Sequence, residues 1–167
     1  MTIKEYIEIN LPLSIRYNPE DKGALIGLPY PYIIPSVADM FQEMYYWDTY
    51  FANTGLLLRG DLVQARNNID DLLHMIDRFG FVLNGSNTYF LYNSQPPVLA
   101  LMVREYYDRM PDKNWLAGAY ERLKTENAFW MQRRKNESGL NRYDCEPLPE
   151  AWVKHSSKSA IGRLGFR

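Results

Sequence analysis

The chain has 167 residues, of which 46% are hydrophobic and 23% charged, a balance typical of one soluble globular domain. Its net charge of -1 argues against nucleic-acid and membrane-surface partners, which need a strong positive field. A lone Cys145, an opening without the apolar core of a signal peptide, and no apolar run long enough to cross a bilayer together predict a cytoplasmic protein.

Residues 1–40 form the first predicted segment. They contain five prolines, at positions 12, 19, 29, 31 and 35. Proline removes a backbone donor and pushes the residue before it away from helical conformation. We therefore expect an extended N-terminal segment that lies against a larger body.

The first predicted helical hairpin follows Tyr45. Apolar residues and a threonine recur at helical spacing in the first helix, which Gly60 can end, at Trp47, Tyr50, Phe51, Thr54 and Leu58. The second helix opens at the N-cap candidate Asp61, closes at Gly80, and has one apolar stripe: Leu62, Ala65, Ile69, Leu72, Leu73, Ile76 and Phe79. So short a link requires the two helices to be antiparallel.

A second hairpin is predicted after a loop over residues 81–95, which has the composition of a loop with a small β-hairpin. A third helix starts at Pro96-Pro97 and stops at Pro111, and a fourth runs from about Asp112 to Lys135. Hairpin after hairpin predicts an all-α protein, as in helical toroids and solenoids. The helical region is expected to span 41–152, with a loose tail over 153–167.

The stretch "FQEMYYWDTYF", residues 41–51, has six aromatic residues among its eleven, together with Glu43 and Asp48. A buried helix disfavours unpartnered carboxylates, and a solvent-facing loop has no use for so many rings. The mixture fits the wall of a cleft that binds a sugar, with rings for its C–H faces and carboxylates for its hydroxyls.

Two places in the chain supply groups for such a site. Phe41, Tyr45, Trp47 and Asp48 stand at the start of the first helix, and the loop adds Asn84, Asn93, Ser94 and Gln95. Each also has a simpler interpretation: Trp47 and Phe51 as core packing, Asp48 as a helix-dipole residue, and "NSQPP" as a polar turn. His74 and His155 are too scattered for a metal site, so no cofactor is predicted, and "QRRK" at 132–135 has the composition of a solvated helix end.

Three motifs in order resemble the trehalases of glycoside hydrolase family 37. They are "FQEMYYWDTYF", then "GLLLRGDLVQARNNIDDLLHMIDRFGFVLNG", then "TYFLYNSQPPVLALMVREYY". The first is similar to that family's Phe-x-Glu-x-Tyr-x-Trp-Asp-x-Tyr run, and the third to its Arg-Ser-Gln-Pro-Pro segment. The resemblance covers about residues 33–150.

This resemblance implies a partial (α/α)6 toroid and an inverting α-glycosidase that cleaves trehalose, a small carbohydrate. It implies substrate-binding roles for Phe41, Trp47, Asp48, Asn84, Asn93, Ser94, Gln95 and Glu150. Trehalases have an arginine in each of three motifs where this chain has Met40, Asn93 and Leu148. Because neither methionine nor leucine replaces the directional donors of a guanidinium, a different α-glycoside is an open alternative.

The chain also lacks the family's catalytic pair, an aspartate in a Gly-Trp-Asp motif and a glutamate further along. A complete (α/α)6 toroid has twelve helices, and twelve helices of about 11 to 12 residues need roughly 200 residues with their links, which is more than this chain has. Glu43 and Asp48 stand five apart and would not share a helical face, so they are poor substitutes. We therefore expect an inactive fragment of a trehalase-like enzyme, with no catalytic residues of its own.

A noncatalytic helical module that binds a sugar or a protein is the alternative. Such a module needs a closed core of its own. A toroid fragment instead exposes an apolar edge, where the next hairpin or a second copy of the chain can dock.

Overall fold

The computed structural model of the protein describes residues 1–38 and 40–143. Within these ranges the fold is mostly helical, with α1 (Ile3–Asn10), α2 (Tyr46–Arg59), α3 (Leu62–Phe79), α4 (Leu99–Tyr107) and α5 (Lys113–Arg133). Two short antiparallel strands, β1 (Ile15–Arg16) and β2 (Tyr32–Ile33), pair Ile15 with Ile33. None of the described helices is both long and apolar enough to cross a membrane.

The first hairpin, α2 and α3, is punctuated by two glycines. Gly60 and Gly80 follow the two helices with φ of 84° and 82°, the left-handed conformation in which glycine is favoured. Both helices were predicted to within a residue or two at each end. Asp61 holds the N-cap position of α3 as predicted, but its carboxylate accepts from Arg59 Nε at 2.8 Å instead of from a backbone N–H.

The second hairpin, α4 and α5, lies beside the first. The Asp112 carboxylate accepts from the backbone N–H groups of Asn114 and Trp115, and this cap begins α5 as predicted. The third helix, α4, ends at Tyr107, before the stop that was predicted at Pro111. Helix α3 packs against α2, α4 and α5, and α2 also packs against α4, so the second hairpin lies against the first with α3 at the centre.

The N-terminal segment differs from the prediction, since residues 3–10 form a helix instead of extended chain. Its first turn is closed by a capping box: the Thr2 hydroxyl accepts from the Glu5 N–H at 3.3 Å, and the Glu5 carboxylate accepts from the Thr2 N–H at 2.7 Å. None of the eight helical residues is buried. The capping box therefore accounts for this helix better than packing does.

Residues 18–28 form a loop that is fastened to the C-terminal end of α3. Arg78 donates two hydrogen bonds to the Asp21 carboxylate, at 2.9 and 2.8 Å, and a third to the carbonyl of Gly27. This guanidinium lowers the pKa of Asp21 to about 2. A Cβ at Gly27 would lie 2.6 Å from the carbonyl carbon of Glu20, so only glycine fits the close approach there.

The core is centred on α3, and buried amides fasten its neighbours to it. Asn68 donates to Asn53 on α2 at 2.8 Å and accepts from the backbone N–H of Ile33 in β2 at 3.2 Å. Both amide side chains are nearly inaccessible to solvent, at 1% for Asn53 and 0% for Asn68. Satisfied buried amides of this kind specify one arrangement of α2, α3 and β2.

The apolar stripe predicted on α2 lies mostly on its outer side. The residues that α2 buries are Tyr46, Thr49, Asn53, Leu56 and Leu57. Trp47, Phe51 and Leu58 are 46%, 66% and 76% exposed. The interpretation of Trp47 and Phe51 as core packing is therefore wrong.

Candidate functional site

Residues 41–47, the aromatic strap, run alongside the loop over residues 84–95. The hydrogen bonds that join them include Met44 N–H to the Ser86 hydroxyl at 2.9 Å, Ser86 N–H to the Met44 carbonyl at 2.8 Å, and Tyr46 N–H to the Asn84 carbonyl at 3.2 Å. The loop forms a short 3-10 turn over Thr88–Phe90, and the predicted β-hairpin is not found there. The pairing brings the two predicted halves of the site together.

The pairing depends on a small residue at position 85. Gly85 bridges to Tyr45 across the two segments, and a Cβ on it would lie 3.1 Å from the rings of both Tyr45 and Phe90. Those two rings meet edge to face with their centroids 5.7 Å apart. The glycine of the "NG" sequence therefore lets an aromatic contact form directly over the backbone.

Two rings of the strap are exposed. Phe41 is 50% exposed and has φ of 59°, the one non-glycine residue in the described ranges with a left-handed backbone. Trp47 is 46% exposed, and its backbone N–H donates to Gln95 Oε1 at 2.9 Å. Gln95 thus ties the first turn of α2 to the loop and leaves the Trp47 ring at the surface.

The loop that pairs with the strap carries two amide side chains, those of Asn84 and Asn93. The backbone N–H of Asn84 donates to the carbonyl of Asn93 at 3.2 Å, which places the two asparagines together. Neither side-chain amide has a hydrogen-bond partner among residues 1–38 and 40–143, and both residues are half-buried. They have donors and acceptors available for a polar ligand.

Arg134 is a member of this region that the sequence analysis did not select. It lies just after α5, is 2% exposed, and donates to the Ser94 hydroxyl at 3.1 Å and to the Tyr92 carbonyl at 3.3 Å. Its guanidinium also stacks over Phe129, 4.7 Å from the ring centroid. The prediction of a solvated helix end at 132–135 is wrong for this one residue. Its buried guanidinium holds the loop in place through its hydrogen bonds to Ser94 and Tyr92.

Asp48 lines a neighbouring cleft. This cleft, of about 460 Å³, lies between α1, the start of α2 and residues 33–37, and Asp48, Thr49 and Phe51 contribute to its wall. Asp48 is half-buried, and its carboxylate accepts no hydrogen bond within the described part of the chain. It stands next to Trp47 in sequence but on a different side of the helix.

Glu43 is a structural carboxylate. It is 5% exposed, accepts from the Asn87 side-chain amide at 2.8 Å, and accepts from the Tyr45 hydroxyl at 3.3 Å. These bonds hold the strap to the loop and leave Glu43 poorly placed to reach a substrate.

Of the eight predicted site residues, the structure places Phe41, Trp47, Asn84, Asn93, Ser94 and Gln95 along the strap and its loop. Asp48 lies around the helix from them, and Glu150 is outside the described residues, as is Leu148. Met40 is 55% exposed at the start of the strap. The described ranges contain no group of three or more His, Cys, Asp or Glu side chains that could hold a metal ion. The binding roles themselves stay predictions.

Comparison with known proteins identifies the family. The trehalase family model matches residues 10–160. Periplasmic trehalases of Xanthomonas campestris pv. campestris (strain 8004) and Xanthomonas axonopodis pv. citri (strain 306) are each 33% identical over 178 aligned positions, which cover 95% of this chain and 31% of theirs. This chain therefore spans about a third of the length of those relatives.

A solved structure has the same fold over this region. Neutral trehalase Nth1 from Saccharomyces cerevisiae superposes with a TM-score of 0.65 at 23% identity, over 92% of this chain and 30% of that one. The family model covers most of the 167 residues, and the relatives match nearly all of them. By sequence, with a fold that agrees, this chain belongs to the trehalase family.

Proposed function

We propose that this chain forms one wall of a glycoside-binding cleft in a trehalase-family (α/α)6 toroid, with trehalose or a related α-glycoside as the ligand. The observation that carries the proposal is the pairing of the aromatic strap with the loop. It joins the segment that carries the exposed rings of Phe41 and Trp47 to the loop that carries the unbonded side-chain amides of Asn84 and Asn93. Rings beside amides are the combination that a sugar, with its C–H faces and hydroxyls, requires.

The chain is proposed to bind without hydrolysing. An inverting glycosidase needs two carboxyl groups about 6.5 to 9.5 Å apart, one to protonate the leaving oxygen and one to activate water. Of the two carboxylates in the first motif, Glu43 is buried and bonded to Asn87, and Asp48 faces the cleft beside α1. Hydrolysis would thus need carboxylates from other parts of a complete trehalase fold.

The exposed side of α2 supports a toroid piece over a self-contained module. Phe51 and Leu58, which are 66% and 76% exposed, present apolar surface where a closed domain would place polar residues. The substrate is left as a class, because Met40 and Asn93 stand at two positions where the family signature has arginine. Arg134 reaches the same loop, but from its buried side.

Titration of the purified chain with trehalose, followed by isothermal calorimetry, tests the binding proposal. We expect saturable binding that is lost in Trp47→Ala and kept in Tyr120→Ala, since Tyr120 is a 58% exposed ring on α5, outside the strap and its loop. An equal loss of trehalose affinity in both variants, or no binding by the wild type, would refute the proposal that the strap and its loop bind a sugar. A parallel assay for glucose should find no release above Trp47→Ala, and release above that control would contradict the claim that the chain is inactive.

The compartment is a separate proposal. We keep the cytoplasmic setting expected from the single Cys145, whereas the names of the Xanthomonas relatives place those proteins in the periplasm. Fractionation of the source cells with an antibody to the chain distinguishes the two.

A further inference from the structure

Glu126 is a buried carboxylate that the proposed site does not explain. It lies on α5, is 4% exposed, and accepts a hydrogen bond from the Tyr46 hydroxyl at 3.2 Å through Oε2. Its other oxygen, Oε1, forms no hydrogen bond of standard length and angle within the described residues, although the backbone amide of Val82 acts on the carboxylate. A buried acceptor that is incompletely hydrogen-bonded costs free energy, so its retention calls for an explanation.

The partner of Glu126 connects three helices at one oxygen. The Tyr46 hydroxyl donates to Glu126 on α5 and accepts from the backbone N–H of Leu99 in α4 at 2.9 Å. Tyr46 itself is the first residue of α2 and is 1% exposed. Its ring therefore fixes the start of α2 relative to α4 and α5.

Trp47 is the next residue along the chain. Its backbone N–H is held by Gln95 and its ring is exposed, so its direction depends on where Tyr46 anchors the first turn of α2. The hydrogen bond between Tyr46 and Glu126 therefore acts on the turn of α2 that also contains Trp47. This provides a physical path from a buried carboxyl group to the surface.

The groups that face Glu126 are few. From α2 it meets the Tyr46 hydroxyl, from the residues after α3 the backbone amide of Val82, and no charged side chain of the described residues acts on it. Burial raises the pKa of Glu126 to about 7, against the opposing effects of that hydroxyl and that amide. Burial also raises the pKa of Tyr46, so its hydroxyl keeps its proton throughout the neutral range.

We propose that Glu126 is a positioning residue of the sugar-binding wall, which acts through Tyr46 to orient Trp47 and holds it more firmly when ionised. A hydrogen bond to a carboxylate is roughly twice as strong as one to a neutral carboxyl group. The inference rests on the proposed function for its effect on sugar, while the link from Glu126 to Trp47 stands independently of it. On that basis trehalose affinity should rise about fivefold between pH 6 and pH 8.

The test compares the 167-residue chain with Glu126→Gln and with Asp71→Asn. Asp71 is the matched control because it is another buried carboxyl group with an unpartnered oxygen, and its hydrogen bond, from the backbone N–H of Tyr30, goes neither to the strap nor to its loop. Trehalose titrations at pH 6, 7 and 8 should show the rise in the wild type and in Asp71→Asn. Glu126→Gln should be flat, at the affinity of the wild type at pH 6. An unchanged pH profile in Glu126→Gln would overturn the proposal.

A second measurement requires no sugar. In NMR spectra of the wild type, the backbone and indole N–H signals of Trp47 should shift with pH. The midpoint of this shift should equal the midpoint of the pH titration of the Glu126 side-chain carboxyl carbon. The Trp47 signals should not shift in Glu126→Gln. If they shift but trehalose does not bind, the sugar wall fails and the link stands. If Glu126→Gln does not fold, the wild type alone decides, because Trp47 signals that ignore the Glu126 titration refute the link.

Discussion

At the scale of single residues, the left-handed backbone of Phe41 is the clearest site of strain. Its φ of 59° disfavours any residue with a Cβ by about 1–2 kcal/mol, and Phe41 is half-exposed, so burial returns little. We expect Phe41→Gly to be more stable than Phe41→Ala by about 1 kcal/mol, since both lose the ring and only glycine relieves the backbone. Urea unfolding measures the difference, and equal stability would show that the conformation carries no strain.

Asp71 makes the stability of the protein depend on pH. Burial raises the pKa of its carboxyl group from 3.8 to about 8, so the folded protein keeps a proton that the unfolded chain releases. The resulting stabilisation is complete below about pH 4 and is lost as pH rises through about 8. Glu126 acts in the same direction up to about pH 7.

We therefore expect the free energy of unfolding to fall between pH 5 and pH 8.5, and the part of the decline above pH 7 to be much reduced in Asp71→Asn. Denaturant titrations at four pH values measure it. Parallel profiles for the wild type and Asp71→Asn would contradict the assignment to Asp71.

At the scale of elements, the strap and its loop depend on Gly85. An alanine there would press its Cβ against the rings of Tyr45 and Phe90, and overpacking of this kind costs about 1–3 kcal/mol. Gly55 is the control: it lies inside α2, and a Cβ added to it would meet nothing within 4 Å, so Gly55→Ala should stabilise by about 0.5–1 kcal/mol. Thermal unfolding of both variants tests this, and Gly85→Ala behaving like Gly55→Ala would contradict the close pairing.

The sequence predicted these elements unevenly, for physical reasons. Helices α2, α3 and α5 have strong local start or stop signals in the sequence, at Gly60, Gly80 and Asp112. They begin and end close to where predicted. Helix α1 had a signal as well, the Thr2 and Glu5 capping box, but the prolines later in the segment outweighed it. The side that α2 buries was not predictable, because both of its sides carry large apolar residues.

The candidate site was also predictable only in part. Its residues were selected from local motifs, whereas their arrangement depends on contacts between distant parts of the chain. Arg134 donates to Ser94 across 40 positions, and Trp47 to Gln95 across 48. Nothing in the local sequence distinguishes Arg134 from its exposed neighbours in "QRRK", so its burial follows only from the folded structure.

At the scale of the whole molecule, the exposed side of α2 predicts self-association. Wild-type protein should bind a hydrophobic dye and sediment faster as its concentration rises, because Trp47, Phe51 and Leu58 present apolar surface to solvent. Phe51→Glu should reduce both effects, and Tyr120→Glu, which alters a similarly exposed ring on α5, should change neither. A compact monomer that does not bind dye would favour the noncatalytic module.

Helix α1 forms one side of the cleft that contains Asp48, and its stability determines how often that side is open to solvent. None of its residues is buried, and elements of this kind open with free energies far below that of global unfolding. Tyr6, Ile7 and Asn10 of this helix line the cleft that also contains Asp48. Amide hydrogens of α1 should therefore exchange fastest among the five described helices, and each such local opening would remove one side of the cleft, widening the approach to Asp48 while α3 remains folded.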